Sequence, residues 1–202
     1  MKPTARPVEG KPNKVEALVF NPKLASTSIA PFVLQTALAS VPLAYGILTH
    51  RDLRSYGLRL TSKLLTQGVS LSIVVGASLS LVSSHPQLTA EWLLLSLILA
   101  PVCEELFFRG FLQTHLTEKV EGGRRLLRFY LSYGLILTAL LFGLSHLSDI
   151  FLLGLTLTAA VINATFAALL GLLIGYVYQE SRSLLTPILM HSCLNAFSSL
   201  LP

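Results

Sequence analysis

The chain has 202 residues, of which 52% are hydrophobic and 12% charged, and its mean hydropathy is +0.67. An ordinary soluble domain carries about 25% charged residues, so the composition excludes a soluble globular protein and predicts an integral membrane protein. The formal net charge of +5 comes from a basic tail and two loops, which is how the positive-inside bias and contact with anionic head groups are written in sequence, and no nucleic-acid partner is indicated.

Residues 1–28 carry Lys2, Arg6, Lys11, Lys14 and Lys23 with four prolines and no apolar helical period, and they read as a flexible basic tail. Ile29 to Thr49 has no charged residue and is long enough to cross a hydrocarbon core, with a bend expected near Pro42. Ala37-Leu38-Ala39 looks like a signal-peptidase site, but the apolar run continues past it and Gln35 interrupts the run before it, so cleavage is not expected. A polar connection with Arg51, Arg54, Arg59 and Lys63 leads to a second span at Leu64 to Val82, rich in Ser and Gly, and to a turn at Ser84 to Gln87. The third span starts near Ala90, is anchored by Trp92, and runs through two adjacent glutamates to about Leu116.

Thr117 to Arg128 contains Gly122-Gly123, Arg124, Arg125 and Arg128, and predicts a basic amphipathic surface segment before a fourth span at Phe129 to Leu147. The apolar run from Ile150 to Tyr178 exceeds one span, which predicts either a tilted helix or a short interfacial piece followed by a helix. Gly171 and Gly175 form a GxxxG face within it. A last helix begins after Ser183, whose hydroxyl is placed to cap it, and Pro187 falls in or near its first turn. The expected architecture is therefore all-α: about six transmembrane helices in one membrane bundle over residues 29–202, with no room for a second folded domain. The basic loops at 50–63 and 117–128 lie two crossings apart and belong on one, cytoplasmic, side; the basic tail disagrees with that count.

Ionisable and amide groups inside apolar spans are functional candidates because they are expensive there. Glu104, Glu105, Arg109, His146, His191 and Asn195 are such groups. Glu105 and Arg109 are four apart and can pair, which offsets the cost of burying both. Glu104 then points about 100° away around the helix, free to face the bundle interior. His191 and Asn195 are also four apart and present two polar heads to one place, while His146 ends Phe142-Gly143-Leu144-Ser145-His146 on a third helix. Cys103 and Cys193 sit in apolar segments, where free cysteine behaves as a small hydrophobe, and indicate neither a disulfide framework nor a CxxC metal site. Counted along straight helices, Glu104 and His191 meet in the cytoplasmic half of the membrane. His146 lies about 27 Å from Arg128, too deep unless the fourth helix projects into the cytosol with Tyr130 and Tyr133 near the interface.

Glu104-Glu105-x-x-x-Arg109, Phe142-x-x-x-His146 and His191-x-x-x-Asn195, in this order on successive apolar helices, resemble the three motifs of the CPBP (Abi) family. That family comprises CAAX prenyl endopeptidases and bacteriocin-processing enzymes, which are intramembrane glutamate proteases. The resemblance covers residues 90–202 as a catalytic core, and the tail and first two spans carry none of its motifs. It implies a conical polar cavity open to the cytoplasm, in a bacterial plasma membrane or an internal membrane. It also implies an endopeptidase in which Glu104, helped by His146, activates a water that attacks a peptide carbonyl. His191 and Asn195 would hold the oxyanion, with Glu105 and Arg109 in support. The substrate would be a peptide or membrane protein in the lipid bilayer, prenylated in one branch of the family.

Two alternatives stay open. No cofactor is required by this scheme, yet Glu104, His146 and His191 would also make an acceptable zinc set, although the sequence has no HExxH motif. A non-proteolytic membrane scaffold, an immunity protein or a partner-binding protein of the same fold could keep the polar cavity for binding.

Overall fold

A computed structural model describes residues 30–49, 52–58, 68–73, 90–152 and 154–200. The basic tail, most of the second span expected at 64–82 and the turn at 84–87 lie outside these residues. Helix α1, Ala30–Leu48, contains Pro42. After the 3₁₀ turn Leu53–Tyr56, helix α2 covers residues 90–119 without a break, but its winding changes. α-Helical Ala90–Leu94, Ala100–Glu105 and Thr114–Lys119 alternate with π-helical Leu95–Leu99 and Leu106–Gln113. π-Turns in otherwise α-helical segments are rare and concentrate at functional sites, and the second one begins directly after the glutamate pair.

Residues 119–133 differ from the expectation of a basic amphipathic surface segment and of an all-α chain. Strands β1, Gly123–Leu126, and β2, Phe129–Ser132, form an antiparallel hairpin in which Gly123 pairs with Ser132 and Leu126 with Phe129. The two-residue turn is Leu127-Arg128, and Leu127 takes a left-handed φ of 56°. Hairpin turns of this length require such angles and normally use Asn or Gly to reach them, which is why the sequence carries no turn signal here. Close cross-strand approach explains Gly123, where a Cβ would stand 2.3 Å from the Leu131 carbonyl oxygen.

Helix α3, Tyr133–Ser145, therefore starts four residues later than the apolar run suggests. The Ser132 hydroxyl accepts from the Leu135 N–H at 3.2 Å and caps it. A 3₁₀ turn, His146–Ser148, and a short helix α4, Asp149–Leu152, precede α5, Leu157–Ser181, which is capped by Thr156. The long apolar run is thus a short piece followed by a helix. Arg182 closes α5 in the left-handed conformation, and α6, Leu185–Leu200, begins with the Leu185 N–H on the Ser183 hydroxyl at 3.3 Å.

Two stretches, Tyr133–Leu152 and Leu157–Ser181, are long and apolar enough to cross a membrane. Leu137, Leu140, Leu141 and Leu144 on the first, and Val161, Ile162, Phe166 and Leu169 on the second, are exposed, an apolar surface suited to lipid. Their inner faces meet closely. A Cβ on Gly143 would stand 2.6 Å from the Ala164 carbonyl oxygen, and one on Gly171 3.3 Å from the Ala139 Cα. Small residues at such positions let backbones approach. The core continues through Phe108, Phe142 and Ala167 between α2, α3 and α5. Ile174, Val177, Met190 and Leu194 join α5 to α6.

Candidate active site

The second π-segment of α2 aims Arg109 and Gln113 at α5. The Arg109 Nη2 donates to the Gly171 carbonyl at 3.4 Å and the Gln113 Nε2 to the Gly175 carbonyl at 2.9 Å. The GxxxG face therefore does two things. It lets α3 pack onto α5, and it offers two backbone acceptors to the buried Arg109 and Gln113 side chains.

Glu105 and Arg109 form the expected i,i+4 pair, Oε2 to Nε at 3.1 Å, with exposures of 0% and 1%. Glu105 has a second partner on α6, because its Oε1 accepts from the His191 Nδ1 at 2.8 Å. A carboxylate only accepts, so Nδ1 carries the hydrogen and the other ring nitrogen, Nε2, is turned toward Glu104. The Nε2 lies 3.9 Å from the Glu104 Oε2. Glu104 differs from its neighbour throughout: its side chain is 13% exposed, its Oε1 accepts from the Gln35 Nε2 of α1 at 2.6 Å, and its Oε2 has no hydrogen-bond partner among the described residues.

Phe142 is the hub between the histidines. Its ring lies 4.7 Å from that of His146, 6.1 Å and perpendicular from that of His191, and 4.9 Å from Phe108, and the Arg109 guanidinium sits 4.5 Å from its centroid. The His146 Nδ1 bonds the Phe142 carbonyl at 2.9 Å. A carbonyl only accepts, so this bond fixes Nδ1 as the donor and leaves Nε2 with a lone pair. Beyond His146, Asp149 accepts from the Asn163 Nδ2 at 2.8 Å.

The hairpin removes the depth mismatch of His146. Counted from the hairpin end, Glu104 is about 22 Å along α2 from Lys119 and His146 about 20 Å along α3 from Tyr133. The fourth helix is shorter than the apolar run, so no projecting extra turn is needed. α6 enters lower down. Leu184 and Tyr56 abut Gly110, a third of the way along α2 from that end, and this sets His191 level with Glu105.

Six candidate residues were named from the sequence. The structure joins Glu104, Glu105, Arg109 and His191 directly and brings His146 to them through Phe142. Asn195 is on the same helix as His191, and its Nδ2 donates to the Ser96 carbonyl of α2 at 2.8 Å. Cys103 and Cys193 are both free. Gln35, Gln113 and the hub role of Phe142 were not foreseen. Gln35 had the same signal as the others, a polar residue in an apolar span, but without a partner at helical spacing. Among the described residues no three His, Cys, Asp or Glu side chains come together as a metal-ligand set.

An apolar helical chain with two stretches able to cross a membrane thus holds carboxylates, an arginine and imidazoles between its helices. The model of the type II CAAX prenyl endopeptidase family, Rce1-like, matches residues 86–197, more than half of the chain, and the chain belongs to that family. The family is one of membrane-embedded proteases. No curated protein and no solved structure matches. The matched segment contains all six candidate residues and excludes α1.

Proposed function

We propose that the protein is an intramembrane endopeptidase that hydrolyses a peptide bond with a glutamate-activated water, in a six-helix bundle whose conical polar cavity opens to the cytoplasm. Residues 29–202 form this bundle and residues 90–202 its catalytic core. The observation that carries the reading is the inequality of the two adjacent glutamates. Glu105 is ion-paired through Oε2 with the Arg109 Nε at 3.1 Å and accepts through Oε1 from His191, whereas the Glu104 Oε2 makes no hydrogen bond among the described residues and faces the His191 Nε2 at 3.9 Å. A carboxylate oxygen with a free lone pair beside an imidazole is placed to act as a general base.

In this reading Glu104 takes a proton from water, with the His146 Nε2 as the second acceptor for that water. The resulting hydroxide bonds to the carbonyl carbon, and the carbonyl oxygen takes up the electron pair. His191 offers Nε2–H to the oxyanion when its ring is doubly protonated, and the Ser96 bond sets the orientation of the Asn195 amide that helps hold it. Collapse of the intermediate breaks the C–N bond, and the proton held by Glu104 passes to the leaving amine. The substrate is a peptide or a membrane protein, prenylated near its C-terminus as the family description suggests.

The test is peptide cleavage by the purified protein in lipid, with a prenylated CAAX peptide and its unprenylated control. Wild type cleaves, and Glu104→Ala and His146→Ala each lose activity by roughly 10²- to 10⁴-fold. Cleavage persists in a chelator. Loss of activity in the chelator with recovery on adding zinc would replace the metal-free step. Equal cleavage by all three proteins would take Glu104 and His146 out of the chemical step, and none by any would leave the polar cluster as a binding site in a non-proteolytic membrane protein.

A further inference from the structure

Helix α1 precedes the family segment at 86–197, yet it reaches the proposed base. Gln35, Pro42 and Gly46 form its buried face. Ala39, on the same side, packs on the cluster of Leu106, Tyr178 and Leu184. Tyr45 lies edge-on to Phe111 at 5.3 Å and to His115 at 4.9 Å. These contacts fix the height of α1 against α2 from below the glutamates. At its upper end the buried Gln35 donates its amide N–H to the Glu104 Oε1 at 2.6 Å, short for a nitrogen donor and typical of a bond to a charged acceptor.

The consequence for Glu104 is rotational. With Oε1 held by α1, Oε2 is the oxygen turned toward His191. Without that bond, the carboxylate plane would turn about the last side-chain torsion, and the lone pairs on the oxygen beside His191 would leave that direction. We propose that Gln35 is a positioning residue that holds the Glu104 carboxylate in its reactive orientation, so that the first helix completes the active site. This rests on the assignment of Glu104 as the base.

Two measurements on the full-length protein in lipid test it. The first is cleavage by Gln35→Leu, which preserves size and removes the donor. kcat falls by about 10- to 100-fold, the loss expected for one hydrogen bond to a charged group, while KM changes by less than about twofold because the residue does not bind substrate. Gln35→Glu supplies a donor only while the introduced carboxyl is protonated, so its activity relative to wild type recovers as the pH falls; a merely space-filling role would not produce that profile. The second is a double-mutant cycle in thermal unfolding with Gln35→Leu and Glu104→Leu, each of which removes one side of the bond, and it needs no activity. Non-additive losses support the contact. If wild type cleaves and Gln35→Leu is equally fast, the proposal falls and proteolysis stands. If no protein cleaves, the protease reading falls, and additive stabilities would overturn the positioning role as well.

Discussion

The two faces of α2 are built by opposite means. Toward α3, α5 and α6 the helix presents Glu105, Arg109 and Gln113, buried and tied to a histidine and to two glycine carbonyls. Toward α1 it presents Glu104, partly exposed and held through one oxygen by one amide. The first face pairs its charges internally, Glu105 with Arg109 and His191, and removing one partner of such a buried pair is strongly destabilising. The second leaves an acceptor unsatisfied, which costs stability and is useful only where another molecule completes the bond. Adjacent residues of one type thus acquire different chemistry from the helices they face.

The largest test of this contrast exchanges the glutamates one at a time. Glu105→Gln leaves the Arg109 guanidinium buried without a counter-charge and should cost about 3–5 kcal/mol of stability, visible as a large fall in the thermal midpoint in lipid. Glu104→Gln keeps the bundle and should hold the midpoint near wild type while cleavage drops by roughly 10²- to 10⁴-fold. A stable but inactive Glu105→Gln beside an active Glu104→Gln would reverse the assignment.

Spacing explains which parts of this were legible in the sequence. Glu105 with Arg109 and His191 with Asn195 repeat at four residues, so their shared faces follow from helix geometry alone. Gln35 lies 69 residues from its partner, and a lone glutamine in a span has no spacing to interpret. The bond between Glu105 and His191 was hidden for the same reason, since separation of 86 residues fixes no register. The break before α5 was readable because the apolar run is too long for one crossing. The hairpin was not, because Leu127-Arg128 contains neither of the residues that normally mark such a turn. Reading Phe129 to Ser132 as helix then displaced His146 in depth by about one turn.

A second, smaller test concerns how tightly the internally paired face is closed. At Gly143 an added methyl meets the Ala164 carbonyl oxygen at 2.6 Å and the Ala168 backbone nitrogen at 3.1 Å, and neither can move without shifting α5. Gly143→Ala should therefore cost about 1–3 kcal/mol. At Gly171 the nearest atoms are the Phe142 Cδ1 at 3.2 Å and the Ala139 Cα at 3.3 Å. Crowding there is mild, and the better helix propensity of alanine, about 1 kcal/mol, offsets it. Thermal unfolding of the two variants should separate them, and equal losses would show that α3 and α5 yield more readily than a close-packed face allows.

The smallest effect belongs to the start of α3. Ser132 caps this helix through the Leu135 N–H, and its own N–H donates to the Gln179 Oε1 of α5 at 3.2 Å. Gln179 also donates to the Tyr130 carbonyl at 2.8 Å, so the hairpin is stitched to α5 by its backbone and α3 is started by one side chain. Ser132→Ala removes only the cap and should cost about 1 kcal/mol. His146 is fourteen residues further on and takes its orientation from the Phe142 carbonyl and ring, so kcat and KM of the folded variant should match wild type. A fall in kcat without a matching loss of stability would mean that the depth of His146 is set from the hairpin end, and the face toward α3 and α5 would then share in catalysis as well as support it.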